Sequence, residues 1–126
     1  MFPRPNVVVL AEDDHELRRL LASALRSDGH SVLEASDARE LREHLLGGPM
    51  PDLVVSDVRM PGESGLDVLR WLRSTGSKVP VVMITAFGDA EAHAEAKACG
   101  AAAMFDKPFE IDDLRTAVLH LVGRNS

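Results

Sequence analysis

Cysteine occurs once in the 126 residues, at Cys99, so no intrachain disulfide can form and the chain reads as one for a reducing, cytoplasmic setting. No apolar run approaches the ~18 residues of a membrane-spanning helix. Met1-Phe2-Pro3-Arg4-Pro5 lacks the apolar stretch that opens a signal peptide. A basic excess is missing too: 20 acidic residues face 14 basic ones, a net charge of −6, which argues against binding to nucleic acid or to an anionic membrane. His15, His30, His44, His93 and His120 include no i, i+4 pair, so a zinc site is not expected and all five read as surface residues. Gly62 and Gly65 complete neither a Walker nor a dinucleotide motif. There is no internal repeat. What remains is 45 % apolar, enough for one domain over 1–126 with its core at about 6–122.

The apolar residues fall into short runs that alternate with amphipathic stretches. Asn6 to Ala11 is a β-branched run that ends in Glu12-Asp13-Asp14. Leu17, Leu20, Leu21, Ala24 and Leu25 then form one helical stripe, with Asp13 or Asp14 as the cap and Gly29 as the stop. Ser31 to Ala35 is a second strand whose mixed polarity suits a sheet edge. Asp37 and Glu40 have capping-box spacing before a helix buried through Ala38, Leu41 and Leu45. Leu53 to Asp57 is a third strand, followed by a Pro61-Gly62 turn. Ser64 and Asp67 repeat the box ahead of Leu66, Leu69 and Leu72, with Trp71 off that stripe as a half-buried packing residue. Val79 to Thr85, a helix from Gly88-Asp89 to about Cys99, a weak alanine-rich strand from Ala101 to Asp106, and a helix over 111–122 with Ile111, Leu114, Val118 and Leu121 inward complete the chain. Five alternations predict an α/β fold: a doubly wound five-stranded parallel sheet with five helices. The apolar first and third strands belong at its centre, in the order 2-1-3-4-5.

In that order the ends of strands one and three lie side by side, so Glu12, Asp13 and Asp57 converge. Two unit charges ~4 Å apart repel by about 4 kcal/mol at an effective dielectric of ~20. Three carboxylates therefore invite either a raised pKa or a cation, and hard oxygen donors beside open solvent suit Mg²⁺. Taken alone, each residue has an ordinary role: acids cap helices and fill turns, a lysine sits at the surface, a threonine fits a strand. Together, acids, acid, hydroxyl and amine terminate four strands on one edge, with Thr85 ending the fourth and Lys107 the fifth. That set suits phosphoryl transfer, which depends on positioning and charge neutralisation. Asp57 is central enough to be the nucleophile, with Lys107 to neutralise phosphoryl oxygens and Thr85 to hydrogen-bond to one.

The segments VVVLAEDD, LVVSDVRMPGESGLDVL, VPVVMITAF and FDKPFEIDDL resemble, in order and spacing, the receiver domain of bacterial two-component response regulators, from about Asn6 to Val122. The resemblance implies a flavodoxin-like receiver fold and a regulatory phosphoacceptor, not an enzyme beyond its own phosphorylation and dephosphorylation. It implies that Asp57 accepts a phosphoryl group from a sensor histidine kinase or phosphotransfer protein. Asp13 and Asp57 bind Mg²⁺ directly, Arg59 adds its backbone carbonyl, and Glu12 acts largely through water. Thr85 and Lys107 bind the phosphoryl group, and the Lys107-Pro108 bond is cis. A homodimer through the last strand and helices is a further implication, with no direct nucleic-acid or membrane contact by this domain.

One position departs from the family. The aromatic switch residue three before the lysine is Met104 here, and Phe105 cannot replace it because neighbouring strand residues face opposite sides. Switching through Thr85 and Met104 therefore runs through a softer side chain. Phosphatases of the DxDx[TV] type also form an aspartyl phosphate, but Asp57-Val58-Arg59 lacks their second acid. A flavin mononucleotide carrier needs a phosphate loop where Glu12-Asp13-Asp14 stands. A degenerate receiver acting only as a docking module would not need Asp57, Thr85 and Lys107 intact. Whether the chain works alone or belongs to a longer regulator with an effector domain is left open by its sequence.

Overall fold

In the computed structural model, which describes residues 4–123, the elements follow one another as β1 (Val7–Ala11), α1 (His15–Ser27), β2 (Ser31–Ala35), α2 (Ala38–Leu46), β3 (Leu53–Asp57), α3 (Gly65–Ser74), β4 (Val81–Ala86), α4 (Ala90–Ala98), β5 (Ala103–Lys107) and α5 (Ile111–Gly123). All strand pairings are parallel and the order is β2-β1-β3-β4-β5, as expected. Every residue of β3 is buried, whereas β2 alternates and β5 is only partly covered, so the apolar strands do occupy the centre. The expected start of β4 at Val79 moves to Val81 because Pro80 has no N–H to give the ladder. Pro80 instead contributes its carbonyl, to the Val54 N–H at 3.0 Å.

Strand alternation divides the core in two. Val9, Ala11, Val54 and Met83 face α2, α3 and α4; Val8, Leu10, Val55 and Ile84 face α1 and α5. Met104 packs on the first side and Phe105 on the second, where its ring lies 5.7 Å from that of Phe109. Phe105 therefore cannot stand in for an aromatic at 104. Each large aliphatic side chain that is fully buried contributes about 1.5–3 kcal/mol, and Leu21, Leu25, Leu41, Leu69, Leu72 and Leu114 are all of this kind. α4 is the exception among the helices. It buries only Ala92 and Ala96, so its apolar hold on the sheet is slight.

Four further expectations need correction. The fifth strand, expected over Ala101–Asp106, runs from Ala103 to Lys107, because its pairing with β4 begins at Val82 and Ala103. Leu20 is 58 % exposed, and the inward position is taken by Ala22, because the contact stripe of α1 runs through Leu21, Ala22 and Leu25. His30 is buried, not at the surface: the turn from α1 into β2 is tied on both sides, His30 N–H to Leu25 O at 3.2 Å and Ser31 N–H to Asn6 O at 2.8 Å. Asp37 caps α2 by accepting the Glu40 N–H at 2.8 Å, but Glu40 does not complete the box; its carboxylate takes the N–H and hydroxyl of Ser36. At α3 the box does close, with Ser64 Oγ accepting from Leu66 N–H and Asp67 accepting from Ser64 N–H. Trp71 is half-buried as expected, with the Arg42 guanidinium 4.6 Å above its ring.

Candidate functional site

The site lies at the carboxyl ends of β1, β3, β4 and β5, where an open α/β sheet changes winding direction. Register sets its geometry. Ala11 pairs with Ser56, so Glu12 and Asp57 emerge as neighbours, and Thr85 and Ala86 pair with Asp106 and Lys107. Asp14, not Asp13, caps α1: its Oδ1 accepts the Leu17 N–H at 3.0 Å. The Asp13 carboxylate is thereby left outside the cap, and one oxygen each from Glu12, Asp13 and Asp57 falls within 4.8 Å of the others.

Glu12 is completely buried and Asp57 nearly so. Glu12 Oε2 accepts the Asp14 N–H at 3.1 Å. Its Oε1 lies 2.9 Å from Lys107 Nζ, an ion pair without a well-aligned hydrogen bond. Lys107 Nζ also donates to Asp57 Oδ2 at 2.8 Å, so one ammonium bridges two carboxylates. The Arg59 N–H makes a long bond, 3.3 Å, to Asp57 Oδ1. Burial, then the neighbouring Asp57 carboxylate, pushes the Glu12 carboxyl above its ordinary range. Asp13 is also raised, by desolvation and then by Glu12. Burial opposes the Lys107 ammonium, but its bonds to Asp57 and Glu12 outweigh that and hold it protonated. The peptide bond from Lys107 to Pro108 is cis.

The close fit of α3 against β3 depends on Gly65. A Cβ there would run into the Asp57 carbonyl oxygen and lie 2.8 Å from Ser56 Oγ. Its N–H donates to Val58 O at 2.8 Å and fixes the loop that carries Arg59.

Thr85 is fully buried and sits on the sheet face that carries α4, the face of Met83 and Met104. Its hydroxyl makes a long contact, 3.5 Å, to Asp89 Oδ2 and none to Asp57. Thus Glu12, Asp13, Asp57, Lys107 and the Arg59 backbone meet at one point, while Thr85 and Met104 stand on the α4 side. Sequence pattern alone does not place Asp89 beside this group. Its position after Gly88 marks it as a helix cap, and it does accept the Ala92 N–H, but nothing local announces that its second oxygen meets Thr85 and Arg59. The Ala92 N–H first, with Arg59 and Thr85 adding, holds its carboxyl below the ordinary range.

Three clustered carboxylates, two of them bridged by one ammonium, meet at a sheet switch point, a set able to handle an anion and to offer hard oxygen donors to a cation. The family model for the response regulator receiver domain matches residues 8–119, and the chain belongs to that family. It is 34 % identical over 113 residues to regulatory protein AtoC of Escherichia coli, covering 90 % of this chain and 24 % of AtoC. Sporulation initiation phosphotransferase F of Bacillus subtilis is 29 % identical over 111 residues, 88 % of this chain and 89 % of that protein. The solved receiver domain of Francisella response regulator 1452 superposes with a TM-score of 0.87 at 27 % identity, covering 96 % of this chain and 99 % of that one. The chain thus spans about a quarter of AtoC and most of the phosphotransferase. Its family role is phosphorylation-dependent signalling. No helix among the described residues is long and apolar enough to cross a membrane.

Proposed function

We propose that Asp57 is the phosphoacceptor and that the chain is a phosphorylation-controlled switch in two-component signalling. The observation that carries this is the Lys107 ammonium, 2.8 Å from Asp57 and 2.9 Å from Glu12, at the mouth of a three-carboxylate cluster. An Asp57 oxygen attacks the phosphorus of a phosphohistidine; the new O–P bond forms as the P–N bond breaks, and the imidazole leaves with the electron pair. Lys107 neutralises phosphoryl oxygens in this step, and Thr85 hydrogen-bonds to one once its side chain turns from Asp89.

The donor set fits Mg²⁺. All three carboxylates are hard oxygen ligands, two have raised pKa values, and the buried Glu12 Oε1 has the Lys107 ammonium beside it but no aligned hydrogen bond. Asp13, Asp57 and the Arg59 carbonyl would hold the ion, with Glu12 acting through water. When bound, it supplies positive charge against the phosphoryl oxygens. The partner is a sensor histidine kinase or phosphotransfer protein in the cytoplasm, and the last strand and helices form the face open to a homodimer. Dephosphorylation by water resets the switch.

Incubation with Mg²⁺ and acetyl phosphate, followed by intact-mass measurement, tests this directly. The wild type gains one phosphoryl group and Asp57→Asn gains none. An unmodified wild type, or equal modification of the variant, overturns the assignment.

A further inference from the structure

Asp89 stands outside the metal cluster, yet it joins three elements. Its Oδ1 caps α4 by accepting the Ala92 N–H at 3.1 Å. Its Oδ2 receives the Thr85 hydroxyl at 3.5 Å and the Arg59 guanidinium at 3.2 Å. Thr85 is the residue expected to turn toward a phosphoryl group, and Arg59 belongs to the loop that follows Asp57. One carboxylate oxygen therefore engages two groups flanking the phosphorylation site and ties both to the first turn of α4. The tie matters because α4 has little else. Only Ala92 and Ala96 are buried, and the helix is otherwise held by polar contacts such as Arg70 to Glu95 at 3.1 Å and His93 to Asp106 at 2.5 Å.

We propose that Asp89 is a positioning residue that latches the unphosphorylated state: it holds Thr85 and Arg59 on the α4 side, and phosphorylation proceeds by exchanging the Thr85–Asp89 contact for a Thr85–phosphoryl contact. The proposal rests on the phosphoacceptor reading of Asp57. Coupling follows by linkage. A contact present only in the unphosphorylated state opposes phosphorylation, and by reciprocity phosphorylation releases the contact and loosens the start of α4. It also offers a route from Thr85 to the output helix that needs no aromatic at position 104, where this chain has Met104.

The capping role and the latching role can be separated. Asp89→Ser keeps a good N-cap acceptor for the Ala92 N–H but is too short to reach Thr85 and Arg59 and carries no charge. Asp89→Ala loses both roles. Affinity for beryllofluoride with Mg²⁺, a non-hydrolysing stand-in for the phosphoryl group, is measured by calorimetric titration of the wild type and both variants. Circular dichroism checks that α4 is intact, and hydrogen exchange reads the amides of 90–93. The latch predicts that Asp89→Ser binds the analogue roughly 3–10-fold tighter than the wild type, the effect of removing about one competing hydrogen bond, and that its first-turn amides exchange like those of the analogue-bound wild type. Damage to the fold would weaken binding, so tightening is a readout that a merely structural role does not give. Unchanged or weaker binding by Asp89→Ser, or tightening confined to Asp89→Ala, overturns the latch. Failure of the wild type to bind the analogue overturns the phosphoacceptor reading instead, and the latch with it.

Discussion

At the scale of single residues, the site depends on which of several similar side chains is left over after local duties are met. Asp14 is consumed as the cap of α1, which frees Asp13. Either aspartate can cap a helix, so the sequence alone leaves the cap open between Asp13 and Asp14, and the backbone geometry at the end of β1 assigns it to Asp14. Asp57 and Lys107 were legible because strand ends are marked by the switch from apolar to charged residues. The complete burial of Glu12 and the second bond of Asp89 were not, since both depend on what packs over them from elsewhere in the chain. Gly65 makes a sharp test at this scale. Gly65→Ala places a methyl group against the Asp57 carbonyl, and α3 or the end of β3 must move. The expected loss is about 1–3 kcal/mol, typical of overpacking, read as a lower urea midpoint. A slower gain of the acetyl-phosphate adduct accompanies it, because Asp57 itself is displaced. An unchanged midpoint and rate would show that the loop yields at no cost.

At the scale of elements, all ten helices and strands were legible, because short apolar runs alternate with capped stretches and Gly or Pro punctuates the turns; α4 and β5 show the weakest pattern of their own. The misplacements are instructive. Leu20 fits a helical stripe by spacing, but the sheet contact of α1 is narrow and takes Ala22 instead. The alanines at 101–103 give the start of the fifth strand little propensity of its own; β5 begins only at Ala103, and its place is fixed by pairing with β4. Its outer end borders a groove of about 310 Å³ lined by His93, Ala94, Lys97, Ala101, Ala103 and Met104. The small alanines leave room for a larger ring at 104. Met104→Tyr therefore fills the groove and stiffens the β5–α4 edge without touching Asp57, whose side chain lies toward the other face. The variant is expected to shift partner affinity or dimerisation, measured by sedimentation with and without beryllofluoride, several-fold more than it shifts the acetyl-phosphate adduct rate. Equal effects on both would place Met104 within the phosphorylation chemistry.

At the scale of the whole molecule, two sets of carboxylates titrate in opposite senses. Arg115 on α5 makes paired bonds to Asp28 at the end of α1, 2.9 Å from Nε to Oδ2 with a second from Nη2 to Oδ1, and so ties the two helices of one face. The bonds from Arg115 hold the Asp28 carboxyl below its ordinary value. A carboxyl whose folded pKa is lowered adds stability above the unfolded pKa of ~3.9, and that stability is lost as pH falls through the folded value. Glu12 and Asp13 behave in reverse. Their folded pKa values are raised, so in the absence of a cation the fold gains stability as pH falls through those values and is opposed by their charge at neutral pH. Mg²⁺ bound at the cluster, as proposed, would remove that penalty. At a free concentration ten times its dissociation constant it adds about 1.4 kcal/mol by mass action. Urea midpoints measured from pH 3 to 8 should therefore show a stability maximum in mild acid without Mg²⁺ and a maximum moved toward neutrality with it. Asp28→Asn lowers the midpoint at pH 7, and its difference from the wild type narrows as pH falls below the unfolded carboxyl value, with or without the ion, whereas Asp13→Asn abolishes the Mg²⁺-dependent displacement and leaves the Asp28 limb in place. The two variants act at opposite ends of α1, so their effects add. A Mg²⁺ displacement that survives Asp13→Asn would move the cation out of the β1–β3 cluster and remove the main support for reading that cluster as a metal site.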